Sequence, residues 1–573
     1  MRNGRRWFVT VLALAAATCG MASAAESISG AAHLRHLTNP GEGWTVFTPS
    51  ADTRIIYVSS SKGDDANDGL SVDMPLKSFV AAQKLLRDEY PDWLLLKRGD
   101  VWVEETLNLT PYGGKSGRSA EEPVLIASYG TEGDRPLLKS GTRIGLQIIT
   151  RKELSHVAIV GLRLWGDRVY GNSKSSGIVI WGPVNDILVE DCYAHDYLDN
   201  FYPSQIYNAE PDYAPPRNIR ARRCVFADAF SQGMLAPHVE GLTIDECLFD
   251  HNGFKPDPEK ADEVKRAEAT YNHNMYIPIT ANNAVVRDTI TARSASVGVF
   301  CRTNGVLEGN LCLACPDALH FGQIRQSRPG GVSGRVKGNV VIGLHGSWSE
   351  ERDLNAVGGY SGIVVGNINN DGAVVEDNII SRGKGAAIAL GPSGVGIHNV
   401  VFRNNTVYNW VRAVNWVGEP GKELETGRLS GISFTGNLFQ AHRFGDRAIL
   451  RERDMGNAEG FTFEGNVYFS DGRAAEWFAL KDEPRSFDQW VQISGEKDAR
   501  AVKVEFADPE RDAATYHATL GREATLEAFL EEARKQSKFN WRPEYTAAAV
   551  IQHVRDGFRP TTDTGGATAV PAR

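Results

Sequence analysis

One short pattern recurs along the middle of the chain and constrains its fold more than any other feature. Ten segments, from ILVEDCYAHD to FTFEGNVYFS, align so that one position always carries Cys, Thr or Asn. These positions are Cys192, Cys224, Cys247, Thr289, Asn310, Asn339, Asn378, Asn405, Asn437 and Asn466. Most successive positions are 21 to 32 residues apart, which is the length of one coil of a parallel β-solenoid. Two wider gaps, of 42 and 39 residues, predict loop insertions.

The recurrent position predicts a ladder of stacked, buried side chains. Strands of neighbouring coils lie about 4.8 Å apart, so stacked Asn side chains can bond one another and the backbone of the turn. We therefore interpret Cys192, Cys224 and Cys247 as reduced members of the ladder, although exported proteins often pair their cysteines. Three more fall on inward-facing positions: Cys301, Cys312 and Cys315. The CLAC motif has no second ligand pair, so a zinc site is not predicted.

The ends and the charge of the chain predict an exported protein. Three arginines, an apolar run over residues 7–17 and the sequence ASA predict a signal peptide that is cleaved after Ala24. Cys19 lacks the upstream Leu expected at a lipidated cysteine. Removal of the arginines changes the formal charge from −9 to −12, which argues against a nucleic-acid partner. No later apolar run is long enough to span a bilayer. We predict a secreted or periplasmic monomer without membrane insertion.

Two segments near the start of the repeats resemble a known superfamily. YVSSSKGDDANDGLSVDMPLKSFVAA, residues 57–82, has a Tyr-Val-Ser strand, an Asp/Asn/Gly turn and Pro-x-Lys-Ser before a capping helix. LLLKRGDVW follows as a strand and turn. Over about residues 55–470 the chain resembles the right-handed parallel β-helix proteins of the pectate-lyase-like superfamily. The resemblance implies an all-β fold. Activity is left open, because the fold hosts lyases, hydrolases, epimerases and adhesins.

These observations predict five regions. They are a signal peptide (1–24), an N-terminal extension (25–54), the β-helix (55–470), a C-terminal helical cap (471–560) and a disordered tail (561–573). Residues 524–539 have helical apolar spacing through Leu526, Phe529 and Leu530. We predict that this helix covers the last coils, because an open solenoid end exposes strand edges.

A second set of strands predicts the functional face. In GIVIWG, GMLAPH, NMYIPI, GVFCRT, ALHFGQ and GIVVGN, apolar residues alternate with residues that must point outward. Tyr276, Arg302 and His320 therefore come from three consecutive coils on one face, and His273 borders them. Polar residues on a solvent-facing sheet are ordinary, but four of the few histidines fall near this face. Glycines at outward positions of later coils predict an open floor: Gly322, Gly366 and Gly391.

This face predicts a polysaccharide lyase. β-Elimination needs a group that neutralises a uronic carboxylate, a base and often an acid. Arg302 is the candidate that neutralises the carboxylate. His320 or His273 is the candidate base, because the ordinary histidine pKa is near neutrality. Tyr276 could donate the proton to the leaving group or act as the base itself. The predicted substrate-binding residues are Asn274, His238, His251, Phe300, Gln323, Arg325 and Trp181. Inserts at residues 200–218 and 253–271, the latter with a helical excursion, would wall a groove for an anionic polysaccharide.

Alternative functions stay open at this point. A glycoside hydrolase needs two carboxyl groups about 5 to 10 Å apart, and the turn residues that qualify are Asp196, Asp228, Asp250 and Asp317. A uronate epimerase would share the proton abstraction. A non-enzymatic adhesin is disfavoured, because its outward rows would be uniform Thr, Ser and Asn. No cofactor or metal is predicted, although a single Ca²⁺ held by loop carboxylates is possible.

Overall fold

A computed structural model describes most of the chain: residues 31–110, 114–166, 175–206, 214–256, 266–268, 271–322, 331–343, 361–366, 372–383, 385–391, 396–416, 429–441, 449–452 and 458–561. The predicted signal peptide, Gln323, Arg325 and the tail beyond residue 561 lie outside these ranges.

Three sheets of 14 strands each dominate the structure, and the chain visits them in turn. Sheet 1 contains Ile55–Val58, Trp93–Lys97, Val124–Tyr129, Leu154–Val160, Val184–Glu190, Arg217–Arg222, Glu240–Asp245, Asn282–Arg287, Gly305–Glu308, Gly334–Lys337, Ala373–Glu376, Val400–Arg403, Ile432–Thr435 and Phe461–Glu464. Sheet 2 contains Val101–Val103, Leu137–Gly141, Arg163–Gly166, Tyr193–His195, Val225–Ala227, Leu248–Asp250, Ile290–Ala292, Leu311–Leu313, Val340–Ile342, Ile379–Ser381, Thr406–Tyr408, Leu438–Ala441, Val467–Ser470 and Arg500–Ala501. Sheet 3 contains Leu107–Asn108, Leu146–Ile149, Ser176–Trp181, Asp199–Ser204, Met234–Leu235, Met275–Ile277, Val297–Cys301, Asp317–Phe321, Ser361–Val365, Ala386–Leu390, Arg412–Trp416, Leu450–Glu452, Phe478–Leu480 and Glu483–Arg485.

Helices are few and short. In the described ranges the α-helices are α1 (Arg35–Thr38), α2 (Phe79–Gln83), α3 (Phe487–Ser494), α4 (Ala513–Thr519), α5 (Leu526–Arg534) and α6 (Ala547–Gly557). Single 3-10 turns occur at Ala32–Leu34, Ala474–Glu476 and Pro543–Tyr545. No helix in the described ranges is long and apolar enough to cross a membrane.

Each strand pairs in parallel with the equivalent strand of the next coil, apart from an antiparallel pair at the end of sheet 3. A chain that winds through three sheets in this way is a parallel β-helix, so the predicted fold class is confirmed. The alternation along sheet 3 is confirmed as well. The side chains expected to point inward are wholly buried: Ile178, Ile180, Met234, Ala236, Met275, Ile277, Val299, Cys301, Leu319, Phe321, Ile363 and Val365.

The predicted ladder lies at the turn between sheets 1 and 2. The Asn310 amide Nδ2 donates to Oδ1 of Asn339 at 2.9 Å and to the Val286 carbonyl of the preceding coil at 2.9 Å. The same pattern continues through Asn378, Asn405 and Asn437 to Asn466. In earlier coils a thiol or hydroxyl accepts the turn N–H instead. Each coil thus uses one side chain to satisfy backbone groups that the bend removes from the sheets.

The ladder ends on a residue that the repeats do not reveal. Asn466 donates its backbone N–H and its Nδ2 to Oε1 of Glu496, at 3.2 and 2.7 Å. The other carboxyl oxygen of Glu496 accepts from Tyr468 Oη and from Trp490 Nε1. Trp490 lies on α3 and stacks on Phe478 with ring centroids 4.9 Å apart. Glu496 therefore joins the final coil to the helix that covers it.

The six described cysteines are buried and form no disulfide, as predicted for the ladder members Cys192, Cys224 and Cys247. Burial raises the pKa of the Cys192 thiol well above its usual value and that of Cys301 to about 12. We expect a thiol reagent to react with none of the six in the native protein, because the thiolate is the reactive form. All six should react after unfolding without reductant. Fewer than six would reveal disulfides and contradict the structure.

The predicted position of the C-terminal helix is wrong. α5 and α6 do not cover the last coils but pack along the outside of sheet 2, where Phe529, Leu530 and Val554 meet Leu248 and Leu311. The outer side of this sheet carries apolar residues, among them Val225, Ile290 and Val340, that the helices bury. α3 covers the end instead, through Trp490. At the other end α2 begins after Ser78, as predicted, and its Phe79 stacks on Trp102 at 5.2 Å.

The described part of the insert at residues 253–271 is an antiparallel pair of strands, Phe254–Pro256 and Arg266–Glu268. The residues between these strands, where a helical excursion is predicted, lie outside the described ranges. The insert at 200–218 begins as a strand of sheet 3, Asp199–Ser204. A further parallel pair joins Ile397–His398 to Leu429–Ser430.

Candidate active site

Strand register places three outward side chains of sheet 3 in one row. Tyr276 pairs with Phe300, and Phe300 pairs with His320, on successive strands. The Tyr276 and Phe300 rings are stacked with centroids 5.2 Å apart, and those of Phe300 and His320 are 4.3 Å apart. The predicted outward row therefore becomes a continuous ribbon of rings.

His273 completes the group from the corner that precedes its strand. Its ring lies 5.3 Å from that of Tyr276 and meets Phe300 edge-on at 5.1 Å. The backbone N–H of Val297 donates to Nδ1 of His273 at 3.3 Å, which assigns the proton of the neutral ring to Nε2. We call His273, Tyr276, Phe300 and His320 the ring cluster.

Arg302 supplies a positive charge beside the ring cluster. Its Nη1 donates to the Tyr276 phenolic oxygen at 3.1 Å, and its guanidinium carbon lies 5.5 Å from the centre of the Phe300 ring. Because the phenolic oxygen accepts from Arg302, the Tyr276 hydroxyl proton is directed to another acceptor. The structure thus brings together the four side chains predicted to be catalytic, and Phe300 with them.

The expectation of histidines with an ordinary pKa is wrong. Burial, and then the charge of Arg302, lower the pKa of both His273 and His320 to about 3. Both residues are 4% exposed, so solvent does little to stabilise an imidazolium. Both rings are therefore neutral at physiological pH. Within the described ranges, the buried Nε2 of His320 has no hydrogen-bond partner.

The two histidines should make the protein sensitive to acid. Between its unfolded pKa of about 6.5 and its folded pKa of about 3, each histidine is protonated in the unfolded state but neutral in the native state. The free energy of unfolding is therefore fully present above about pH 6.5 and decreases as the pH falls toward about 3. We expect the urea midpoint of unfolding to fall between about pH 7 and pH 4, and to fall less steeply in His320→Phe. An unchanged slope in a folded His320→Phe protein would contradict the buried neutral state.

Asn274 belongs to the scaffold, so its predicted contact with substrate is wrong. It is wholly buried and ends a second ladder, at the turn between sheets 2 and 3. Asn200 Nδ2 donates to Asn252 Oδ1 at 3.2 Å, and Asn252 Nδ2 donates to Asn274 Oδ1 at 2.9 Å. Asn274 Nδ2 in turn donates to Thr291 Oγ1 at 2.8 Å. Its side-chain amide forms hydrogen bonds within the turn and does not reach the outer face.

His251 lies away from the ring cluster, contrary to the prediction. Its Nδ1 is 2.7 Å from Asp228 Oδ1 and its ring stacks on Phe254 at 4.4 Å. Arg534 of α5 joins Asp228 and Asp250, at 2.8 and 2.6 Å. His251 therefore lies at the edge of sheet 2 that faces the C-terminal helices.

The other predicted binding residues are not brought into contact with the ring cluster. Trp181 packs edge-on against Tyr202 at 5.2 Å, three strands before Tyr276 in sheet 3. His238 is half-buried at the end of the strand next to that of Tyr276, and its backbone N–H donates to Thr280 Oγ1. At the glycine floor, an added Cβ on Gly322 would meet the Gly366 backbone at 3.0 Å, so these coils approach closely without side chains.

A row of acceptors at the starts of sheet 3 strands contains Asp317, already considered for hydrolysis, and two residues that the sequence did not single out, Asp199 and Gln232. The Asp199 carboxylate accepts a hydrogen bond from the backbone N–H of Gln232 at 3.0 Å, and the Gln232 side-chain oxygen accepts one from the backbone N–H of His273 at 2.7 Å. The Asp317 carboxylate accepts one from the backbone N–H of Ser361 at 2.7 Å. Burial raises the pKa of both Asp199 and Asp317 to about 6. Asp317 begins the strand that carries His320. The signal in the sequence is a polar residue three positions before the outward residue of each strand: Tyr202, Leu235 and His320.

Three of the four carboxyl groups considered for hydrolysis are held by neighbouring histidine or arginine side chains. Asp196 is 2.8 Å from His195 Nδ1, and Asp228 and Asp250 bind Arg534. The charges of Arg534 and Arg293 hold the pKa of the Asp250 carboxyl below its usual value despite burial. Asp317 alone combines a raised pKa with a position on the strand of the ring cluster. No group of three or more metal-ligating side chains occurs in the described part of the chain.

Comparisons with known proteins give limited likenesses. No family model matches the sequence. A lacto-N-biosidase from Bifidobacterium longum subsp. longum is 31% identical over 108 residues, which is 18% of this chain and only 6% of that protein. The solved lacto-N-biosidase of Eubacterium ramulus is 14% identical, with TM-score 0.34, covering 78% of this chain and 68% of the other. A mannuronic acid specific lyase from human gut microbiota is 13% identical, with TM-score 0.36, covering 72% and 86%. The fold assignment accordingly stands on the three sheets themselves.

Proposed function

We propose that this protein is a carbohydrate-active enzyme that cleaves a uronic-acid-containing polysaccharide by β-elimination, with the ring cluster and Arg302 as its active site. The observation that carries the proposal is the unpartnered, buried Nε2 of His320 beside a guanidinium. A buried polar atom without a partner costs about 1–3 kcal/mol, which a native fold retains where a ligand supplies the missing bond.

Arg302 is assigned to the substrate carboxylate. A guanidinium grips a carboxylate through two parallel hydrogen bonds and withdraws charge from the carbon beside it. That carbon must lose its proton in β-elimination, so the assignment places the acidified C–H next to the rings. Phe300, stacked between Tyr276 and His320, offers an apolar ring edge to the sugar.

His320 is assigned to proton abstraction and Tyr276 to the leaving group. A neutral imidazole can accept a proton, and a bound carboxylate would raise the His320 pKa by offsetting the charge of Arg302. The C–H electrons then form the new C=C bond while the C–O bond to the leaving sugar breaks. Tyr276 gives its proton to the departing oxygen, and Arg302, already bonded to the phenol, stabilises the phenolate.

The direct test is incubation of the protein with a panel of polyuronates. β-Elimination produces an unsaturated uronate that absorbs at about 232 nm, with the proton lost from carbon and no water consumed. Rising absorbance with an acidic polymer, and none with its carboxyl-reduced form, is expected. Cleavage that yields only saturated ends would overturn the lyase assignment.

Glycoside hydrolysis is the second candidate, and Asp317 is the observation that favours it. A carboxyl group with a pKa of about 6 suits a general acid. Hydrolysis in water enriched in oxygen-18 would label the new reducing end, whereas elimination would leave it unlabelled. Asp317→Asn should abolish hydrolysis by this route and leave β-elimination largely intact.

A further inference from the structure

A second candidate site lies on sheet 2, on a different face from the ring cluster. Where α5 crosses the early coils, an open cavity of about 610 Å³ is lined by Arg98, Arg135, Arg163, Arg534, Lys535 and Phe539, among other residues. A volume of this size matches sites that hold small ligands.

The floor of the cavity is cationic, and two of its charges lack a carboxylate. Arg98 is 8% exposed, its Nη2 donates to the Gly133 carbonyl, and within the described ranges its buried Nε has no partner. Arg163 donates to His195 Nε2 at 3.1 Å. For neither guanidinium is a carboxylate of the described chain close enough to form an ion pair.

The other two arginines of the cavity differ from Arg98 and Arg163 because they form ion pairs. Arg135 is 2.5 Å from Asp191, and Arg534 binds two carboxylates, so both are neutralised. Asp134 and Glu531 also line the cavity, but both lie exposed at its rim. Burial of a guanidinium without an ion-pair partner is costly, and burial lowers the Arg98 pKa to about 10, although the charges of Asp191 and Asp134 act in the opposite direction. A bound anion would offset that cost.

Aromatic rings beside these cations indicate the chemical class of the anion. Arg98 lies 3.5 Å above the Phe539 ring, and Arg163 lies 5.3 Å from the Tyr193 ring, which also lines the cavity. Phe539 is 42% exposed. A guanidinium beside a partly exposed ring such as Phe539 suits a ligand with both a negative charge and an apolar surface, as an acidic sugar has.

We propose that this cavity is a second, non-catalytic binding site for an acidic saccharide. The choice of a saccharide over another ring-bearing anion rests on the proposed function, whereas the need for an anion rests on Arg98 and Arg163 alone. The site would hold a length of polymer on sheet 2 while the ring cluster on sheet 3 acts on another.

The test measures binding to the full mature protein carrying Tyr276→Phe and Arg302→Ala, which removes the active-site contacts. Three probes are titrated by calorimetry: a galacturonate pentamer, a neutral galactose pentamer and inorganic sulfate. We expect the acidic pentamer alone to bind well, and more weakly as salt is added. Arg98→Gln with Arg163→Gln should raise its Kd at least about tenfold, whereas Arg143→Gln, an exposed arginine outside the cavity, should not.

The outcomes separate the two proposals. An unchanged Kd in the folded double-glutamine variant, or equal binding of the neutral pentamer, overturns the second site. Sulfate binding as tightly as the pentamer overturns its saccharide specificity. If the double variant does not fold, Arg163→Gln alone decides, because that side chain is half-buried and, among the described residues, its hydrogen bond is to His195. Absence of lyase activity would overturn the proposed function and leave these titrations unaffected.

Discussion

Arg302→Ala and Tyr276→Phe should each lower turnover on an acidic polysaccharide by about two orders of magnitude or more. This is the usual effect of losing a positioned acid, base or charge-stabilising group. Both side chains point outward from sheet 3, so the free energy of unfolding should change by no more than about 1 kcal/mol. Arg302→Lys should restore only part of the activity, because a point charge does not replace a planar fork on a carboxylate. Turnover is followed from the unsaturated product, and stability by urea denaturation.

Matched controls keep the residue types of the active site. Tyr202 lies on the outer side of sheet 3, in the row that leads to Tyr276 but two strands before it. Tyr202→Phe and Arg143→Ala should keep nearly full turnover. Normal activity in a folded variant lacking Tyr276, Arg302 and His320 together would refute the active-site assignment and direct attention to Asp317.

Asn378→Leu should destabilise the β-helix by roughly 3 to 5 kcal/mol. Its Oδ1 accepts from the backbone N–H and from Nδ2 of Asn339, both at 2.9 Å, and its Nδ2 donates to the Val336 carbonyl and to Asn405. Leucine would leave these buried groups unpaired, at about 1–3 kcal/mol for each group that stays unsatisfied. The measurement is the shift of the urea midpoint multiplied by the slope of the wild-type transition.

A leucine placed on the exposed side of a strand is the control for this variant. Thr462→Leu, on the outer face of sheet 1, should change stability by about 0.5 kcal/mol or less. The ladder runs through successive coils, so Asn339→Leu should resemble Asn378→Leu. A cost near zero for Asn378→Leu would mean that the ladder amides are replaceable by apolar packing.

The sequence alone determined the repeating part of the molecule. The spacing of Asn, Cys and Thr predicted the coils, the ladder and the reduced cysteines, because each coil meets the same local requirement at the same turn. Period-two alternation likewise predicted that Tyr276, Arg302 and His320 share one face. Both features depend on residues close in sequence and on a strand spacing that every parallel sheet shares.

Only the tertiary structure decided what depends on neighbours distant in sequence. The pKa values of His273 and His320 follow from burial against Phe300 and Arg302, and no residue type carries that information. The sequence predicted that Asn274 contacts the substrate, whereas its hydrogen bonds to Asn252 and Thr291 place it in the scaffold. Apolar periodicity predicted that α5 is a helix but not where it packs. The packing site depends on apolar residues of sheet 2, which lie far from α5 in sequence. The ion pair between Arg534 and Asp250 is an example, because its two residues are 284 positions apart in sequence.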